Sequence, residues 1–141
     1  MSNLKDIDGL YEKYPKLLLK NCIDCNVGWY RIIDHMCSAI QTYVDGEIAE
    51  HDIYPKFLRI QEKFGVLNIE VDDGDEITEL VSRSCEILSY HTCEYCGEHG
   101  ELYCSSKWRS WCHYKTLCLD HAIEFYYYRL YRDSEFKKDN E

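Results

Sequence analysis

The chain has 141 residues, 45% of them hydrophobic, and a formal net charge of −10. This apolar content is enough for a folded core and excludes global disorder. The negative charge opposes non-specific binding to nucleic acid and to anionic lipid. No run of about 18 apolar residues is present, so no transmembrane helix is predicted, and the first residues lack the apolar stretch of a signal peptide.

The nine cysteines indicate metal binding more than disulfide bonding. Their number is odd, and four of them form Cys-x-x-Cys pairs, which are typical of metal sites in a reducing compartment. We therefore expect a protein of the cytoplasm.

Two helices are predicted in the first third of the chain. One lies within residues 4–20 and ends at Tyr14, because the following Pro15 disfavours the α conformation of its predecessor. The clearer one spans residues 28–45, where apolar residues recur at helical spacing and predict a buried face that includes Trp29. The residues between the apolar positions are expected to face water: Arg31, Asp34, His35 and Gln41.

A β-hairpin and a further helix follow. Residues 57–61 predict a strand, and the alternation of Leu67, Ile69 and Val71 with polar residues predicts its partner, with Gly65 in the turn. The helix is expected from about Asp75 to Tyr90, with Asp75 as its N-cap. Its predicted buried face is Ile77, Leu80, Val81, Ser84, Cys85 and Leu88.

The strongest motif is C-x2-C-x21-C-x2-H, formed by Cys93, Cys96, Cys118 and His121. Zinc takes four tetrahedral ligands, and thiolate and imidazole suit it well. The first pair fits a tight turn completed by Gly97, and the second pair fits one face at the start of a helix. The motif predicts a structural zinc ion, with Cys112 and His113 as competing ligands.

The segment between the two ligand pairs predicts a hairpin of residues 101–105 and 110–116, followed by a third helix from Leu117 to about Asp133. We therefore expect an α+β fold, with helices packed on a small antiparallel hairpin and a C-terminal finger that resembles a treble clef. The predicted division is a core of residues 1–91, a zinc-finger module of residues 92–133 packed on it, and a flexible tail of residues 134–141.

A second metal site is an open alternative. Cys22 and Cys25 form the other Cys-x-x-Cys pair, and Cys104, Cys112 or His113 would complete it. The competing interpretation is one buried and one partly exposed thiol beside a helix start. Cys37 and Cys85 lie on apolar stripes and are expected in the core.

Two segments rich in aromatic residues are candidate interaction surfaces. The first is a polar hairpin that combines basic and aromatic side chains, namely Lys107, Trp108, Arg109 and Trp111, which would stack bases or anchor a protein interface. The competing interpretation is that the tryptophans cover the zinc site. The aromatic run of residues 125–131 exceeds what one helical face buries, which indicates a dimer or partner surface, and packing on the N-terminal helices is the competing interpretation.

Three sequence blocks together resemble a family of small bacteriophage and prophage proteins. They are Gly28-Trp29-Tyr30-Arg31-Ile32-Ile33, then Gln61 to Leu67, then Thr92-Cys93-Glu94-Tyr95-Cys96-Gly97 with Thr116 to Ala122. The resemblance covers about Cys22 to Ala122. It implies an accessory protein that acts inside an infected bacterium, in host takeover or evasion of host immunity.

The leading functional hypothesis is binding that inhibits or redirects a host macromolecule, most simply a basic host protein. Nucleic-acid binding through the finger is the alternative, although the charge disfavours it, and sequestration of a small signalling nucleotide is another. No enzyme is predicted, because the sequence lacks a Gly-rich phosphate loop and a nucleophile elbow.

Overall fold

The computed structural model describes residues 7–47, 54–104, 113–125 and 127–129. The elements in chain order are α1 (Ile7–Lys13), β1 (Ile23–Asp24), a 3₁₀ turn (Val27–Trp29), α2 (Tyr30–Glu47), β2 (Lys56–Lys63), β3 (Val66–Asp72), α3 (Glu76–Ser89), β4 (Glu101–Cys104), β5 (Tyr114–Leu117), α4 (Leu119–Glu124) and β6 (Tyr128–Arg129). The predicted mixed α/β content with small sheets is confirmed. None of the helices in these residues is both long and apolar enough to span a membrane.

The first sheet has the order β1-β2-β3, with β1 parallel to β2 and β3 antiparallel to it. The predicted hairpin is present, and Phe64 and Gly65 form its turn at positive φ. Apolar residues of this sheet share one buried cluster with α1 and α2, including Trp29, which is fully buried as predicted. The second sheet has the order β5-β4-β6 and is antiparallel throughout.

The prediction that Asp34 faces water is wrong. Its side chain is buried between α2 and α1, where it accepts hydrogen bonds from Lys13 Nζ (2.8 Å) and Tyr14 Oη (2.7 Å). Both partners lie about 20 residues upstream, so helical periodicity alone cannot find them. Arg31 and His35 are exposed as predicted.

The predicted buried face of α3 is also largely wrong. The helix begins and ends close to its predicted bounds, and Asp75 Oδ1 caps it by accepting the Thr78 N–H (3.0 Å). Its buried residues, however, are Thr78, Ser82, Cys85 and Ser89. Ile77, Leu80, Ser84 and Leu88 are exposed instead.

The side of α3 that faces β3 is polar because it satisfies the free edge of that strand. Ser89 Oγ accepts the Leu67 N–H (2.9 Å), Glu86 accepts the Ile69 N–H (2.7 Å), and Arg83 Nη2 donates to the Ile69 carbonyl (2.6 Å). An edge strand presents unpaired backbone groups that need partners. Here the side chains of a helix supply them in place of a fourth strand.

The third predicted helix is wrong beyond Glu124. α4 ends there, and the chain turns at Phe125, so that Tyr128 and Arg129 pair with Cys104 and Tyr103 of β4. Aromatic residues favour strands, and β4 offers an open edge on that side. Residues 130–141 lie outside the described residues, as does the predicted tail.

Candidate metal centre

The first ligand pair lies in a tight turn after α3. Cys93 N–H donates to the Glu98 carbonyl (2.7 Å), and Gly97 N–H donates to the Cys93 carbonyl (2.9 Å). Gly97 has a φ of +81°, which a side chain would make unfavourable. These bonds close the turn and bring the thiols of Cys93 and Cys96 to one side of it.

The second ligand pair lies at the start of α4. Cys118 is the N-cap residue, with extended φ and ψ, and its side chain makes no capping hydrogen bond. Its carbonyl accepts the Ala122 N–H (2.9 Å), which leaves the thiol free to turn toward the same side as His121. β5 ends at Leu117 and delivers Cys118 to this position.

The four side chains form one cluster, as the motif predicted. Their ligand atoms all lie within 4.8 Å of one another. Cys93 Sγ lies 3.6 Å from His121 Nδ1, Cys96 Sγ lies 3.7 Å from Cys118 Sγ, and Cys118 Sγ lies 3.1 Å from His121 Nδ1. Tetrahedral zinc with ordinary bond lengths separates its ligands by about 3.6–3.8 Å. The cluster is therefore close enough to hold a metal ion, consistent with zinc.

The surroundings of the cluster orient its ligands. The rings of Tyr95 and Phe125 lie 5.9 Å and 5.7 Å from the His121 ring and 4.7 Å from each other, so the imidazole packs against a pair of aromatic residues. Burial raises the pKa of Cys93, but hydrogen bonds from the backbone N–H groups of Cys118, Cys96 and Tyr95 outweigh it and lower that pKa. A thiolate is the form of cysteine that binds metal, so these N–H groups favour the binding state.

The turn that carries Cys93 packs directly against the start of α2. Gly28 N–H donates to the Glu94 carbonyl (2.7 Å), and Trp29 Nε1 donates to the Thr92 carbonyl (2.9 Å). A Cβ atom on Gly28 would lie 2.2 Å from the Cys93 carbonyl oxygen, so only glycine permits this approach. The conformation of the metal turn therefore depends on the N-terminal helices.

Glu94, between the two cysteines of the turn, is buried at 1% exposure. Its carboxylate accepts hydrogen bonds from Asn26 Nδ2 (2.9 Å) and Lys115 Nζ (3.0 Å), and Lys115 also binds Glu62 (2.8 Å). Burial lowers the pKa of Lys115, but the hydrogen bond that it donates to Glu62 and the charge of Glu94 outweigh this and raise that pKa. Sequence reasoning missed this network, because its members lie 21 to 68 residues from Glu94 and no motif marks them.

The second predicted metal site stays untested. Within the described residues, the one group of three or more potential ligands is the cluster above, so Cys22, Cys25 and Cys104 belong to no other such group. Cys112 lies outside the described residues. Cys22, Cys37 and Cys85 are buried among apolar residues, and burial raises the pKa of Cys25. His113 is exposed, and His121 takes the position of the fourth ligand.

The predicted binding surface of Lys107, Trp108, Arg109 and Trp111 lies outside the described residues. The structure shows instead a cleft of about 540 Å³ between the start of α2, the end of α3 and the metal turn. Its lining includes Arg31, His35, Leu88, Tyr95 and Glu98. Sequence reasoning placed Arg31 and His35 on the surface but gave no sign of a cleft.

Comparisons with protein-family models, with curated proteins and with solved structures find no match to this chain. Its function is therefore inferred from the geometry of its own residues.

Proposed function

We propose that the chain is a non-catalytic binding protein, built around one structural zinc ion, that inhibits or redirects a basic protein of an infected bacterium. The infected host is the setting that the sequence resemblance implies. Four protein ligands fill a tetrahedral zinc ion, so no position remains for water or substrate, which argues against a catalytic role. The order of turn, hairpin and helix around the ligands further supports a treble clef.

The observation that carries the proposal is the outward face of α4, the helix that supplies His121. Leu119 is 64% exposed and Ile123 is 65% exposed, one turn apart, and Asp120 and Glu124 are exposed beside them. Apolar residues flanked by charge are typical of a protein-binding surface. The acidic flanks, together with a net charge of −10, favour a basic partner.

A bound metal would hold this face in place. α4 has only six residues, too few to be stable as an isolated helix. Cys118 and His121 would both bind the zinc ion, and this would fix the first turn of α4 and so the position of Leu119 and Ile123.

Affinity capture from a bacterial lysate tests the proposal, with the tagged full chain as bait. We expect one basic protein to be retained, and retention to fall as salt rises above about 0.15 M because surface charges are then screened. Ile123→Ser and Asp120→Lys should each reduce its capture. Leu58→Ser is the matched control, since Leu58 is 41% exposed but lies on β2. Equal capture by all variants, or no retained protein, would contradict the proposal.

A further inference from the structure

A second apolar surface lies on α3, which exposes its apolar side and buries its polar one. Ile77 is 44% exposed, Leu80 64%, Ile87 58% and Leu88 55%, whereas Thr78, Ser82, Cys85 and Ser89 are buried. A surface helix of a soluble protein normally buries its apolar stripe. Because Arg83, Glu86 and Ser89 are bound to the edge of β3, α3 cannot rotate to hide these residues.

The exposed residues have the spacing of a helix–helix seam. Ile77, Leu80, Ser84 and Ile87 are separated by three, four and three residues, the a and d positions of a heptad repeat. A helix of this length presents a seam of about 20 Å. Since the seam needs a facing helix with the same spacing, α3 of another copy fits it.

The charges along α3 favour one orientation of that helix. α2 and α3 run antiparallel, because Tyr43 near the end of α2 binds Asp75 at the start of α3, and Leu88 shares the cleft with Arg31 and His35. The end of α3 therefore lies beside two basic side chains. Its start lies beside exposed acidic residues, namely Asp72, Asp73 and Glu76.

We propose that two copies of this chain associate through α3, antiparallel across a two-fold axis. In this arrangement the acidic start of each α3 approaches Arg31 and His35 of the other copy. Leu80 packs opposite Ser84 of the partner copy, a large residue against a small one, and Ile77 packs opposite Ile87. A parallel pair would place the acidic ends together and Ser84 against Ser84.

The expected affinity of this dimer is modest, and its interface is separate from the α4 face. Arg31 forms no ion pair with any residue of the described ranges, so its charge is free for the partner copy. One helix pair lies at the low end of specific interfaces, which predicts a reversible dimer with a Kd on the order of micromolar. The dimer goes beyond the proposed function and leaves the α4 face out of the interface.

Sedimentation equilibrium of the full chain, from about 1 to 500 μM at ~0.15 M salt, tests the proposal. We expect a monomer–dimer equilibrium in the wild type. The double variant Leu80→Ser/Ile87→Ser should be monomeric across this range, with helix content and metal content unchanged. Ile123→Ser on α4 should dimerise like the wild type. A monomeric wild type would overturn the proposal, as would a double variant that dimerises normally or an Ile123→Ser variant that does not.

The orientation has its own test, in which the total charge is controlled. Arg31→Glu and Arg59→Glu change the net charge equally, but Arg59 is an exposed residue of β2, outside the proposed interface. We expect Arg31→Glu to raise the dimer Kd about ten-fold, because it reverses the charge at both symmetry-related contacts, and Arg59→Glu to leave it within about two-fold. Equal effects of the two variants would overturn the antiparallel arrangement.

Discussion

The N-terminal core and the metal module, which we define as the described residues within 92–129, are held together by different interactions. Among the described residues, the core cluster contains nineteen buried hydrophobic residues, whereas the cluster of the metal module contains four: Cys93, Tyr103, Leu117 and Ala122. Burial of a large apolar side chain contributes about 1.5–3 kcal/mol, and Leu117 is the one member of this cluster of four that is both large and wholly apolar, so the cluster cannot offset the entropy of ordering the module. The metal module therefore depends on its ligands and on its contact with the core.

This comparison predicts that metal removal has the largest effect and that the effect is local. In small zinc domains, metal binding contributes about 10–16 kcal/mol of apparent folding free energy. We expect a chelator, or Cys118→Ser, to collapse the amide NMR signals of β4, β5 and α4 while those of α2, β2 and β3 stay dispersed. Cys25→Ala is the control, because Cys25 lies outside the cluster. Retention of the α4 signals after complete metal removal would show that the module folds without metal.

A cavity in the core should lower the stability of the core and leave the metal site intact, the opposite of metal removal. Ile33 is fully buried on α2, and Ile33→Ala should lower the free energy of unfolding by about 3 kcal/mol through lost burial and a residual cavity. Urea denaturation measures this loss, and the metal content should stay unchanged. Leu58→Ala, at a position 41% exposed, should cost clearly less. If Ile33→Ala instead released the metal, the two regions would not be separable.

The buried carboxylate of Glu94 tests how the two regions are joined. Glu94→Gln keeps the size of the side chain but removes the buried carboxylate, so that Lys115 keeps only Glu62 as its counter-ion, a loss of about 2 kcal/mol. We expect thermal unfolding to separate into two transitions, the metal module first. Glu98→Gln, in the same turn but exposed, should leave a single transition. Identical unfolding curves for the two variants would mean that Glu94 does not couple the regions.

The smallest expected effect is on the pH dependence of folding stability, and it arises in the core alone. Burial raises the pKa of Asp34, but hydrogen bonds from Lys13 and Tyr14 outweigh it and lower that pKa. The carboxylate therefore stabilises the fold above its unfolded pKa of about 3.9, and this contribution is lost as the pH falls through the lower folded value.

Asp34→Asn should cost about 1–2 kcal/mol at neutral pH and flatten the acid limb of the stability curve. Unfolding by urea between about pH 2.5 and 7 measures this limb. Asp24→Asn is the control, because Asp24 is exposed. An acid limb that is unchanged in Asp34→Asn would assign it to other groups, including the protonation of the metal ligands.

The sequence predicts best where one local rule decides the outcome. The ligand set follows from spacing, because two close pairs and a connecting hairpin bring Cys93 and His121 together. The buried face of α2, with Trp29, follows from helical periodicity. Both rules can be applied to the spacing of a few residue types, without knowing which other residues meet them in the fold.

The failures at Glu94, Asp34 and α3 have one physical origin, which is a polar partner that no sequence motif marks. Glu94 and Asp34 are buried because Lys115 and Lys13, each 21 residues away, bind their carboxylates. The outward apolar face of α3 follows from the open edge of β3, whose backbone groups bind Arg83, Glu86 and Ser89 on the opposite side of the helix. Hydrophobic periodicity contains no information about such edges.

Native mass spectrometry of the purified full chain tests the central claim, that one metal ion held by Cys93, Cys96, Cys118 and His121 stabilises the C-terminal module. The account predicts one zinc ion per chain in the wild type and in Cys25→Ala, and none in Cys118→Ser. A folded wild type without zinc would contradict the account. Two zinc ions per chain would contradict the single site and assign Cys22 and Cys25 to a second one.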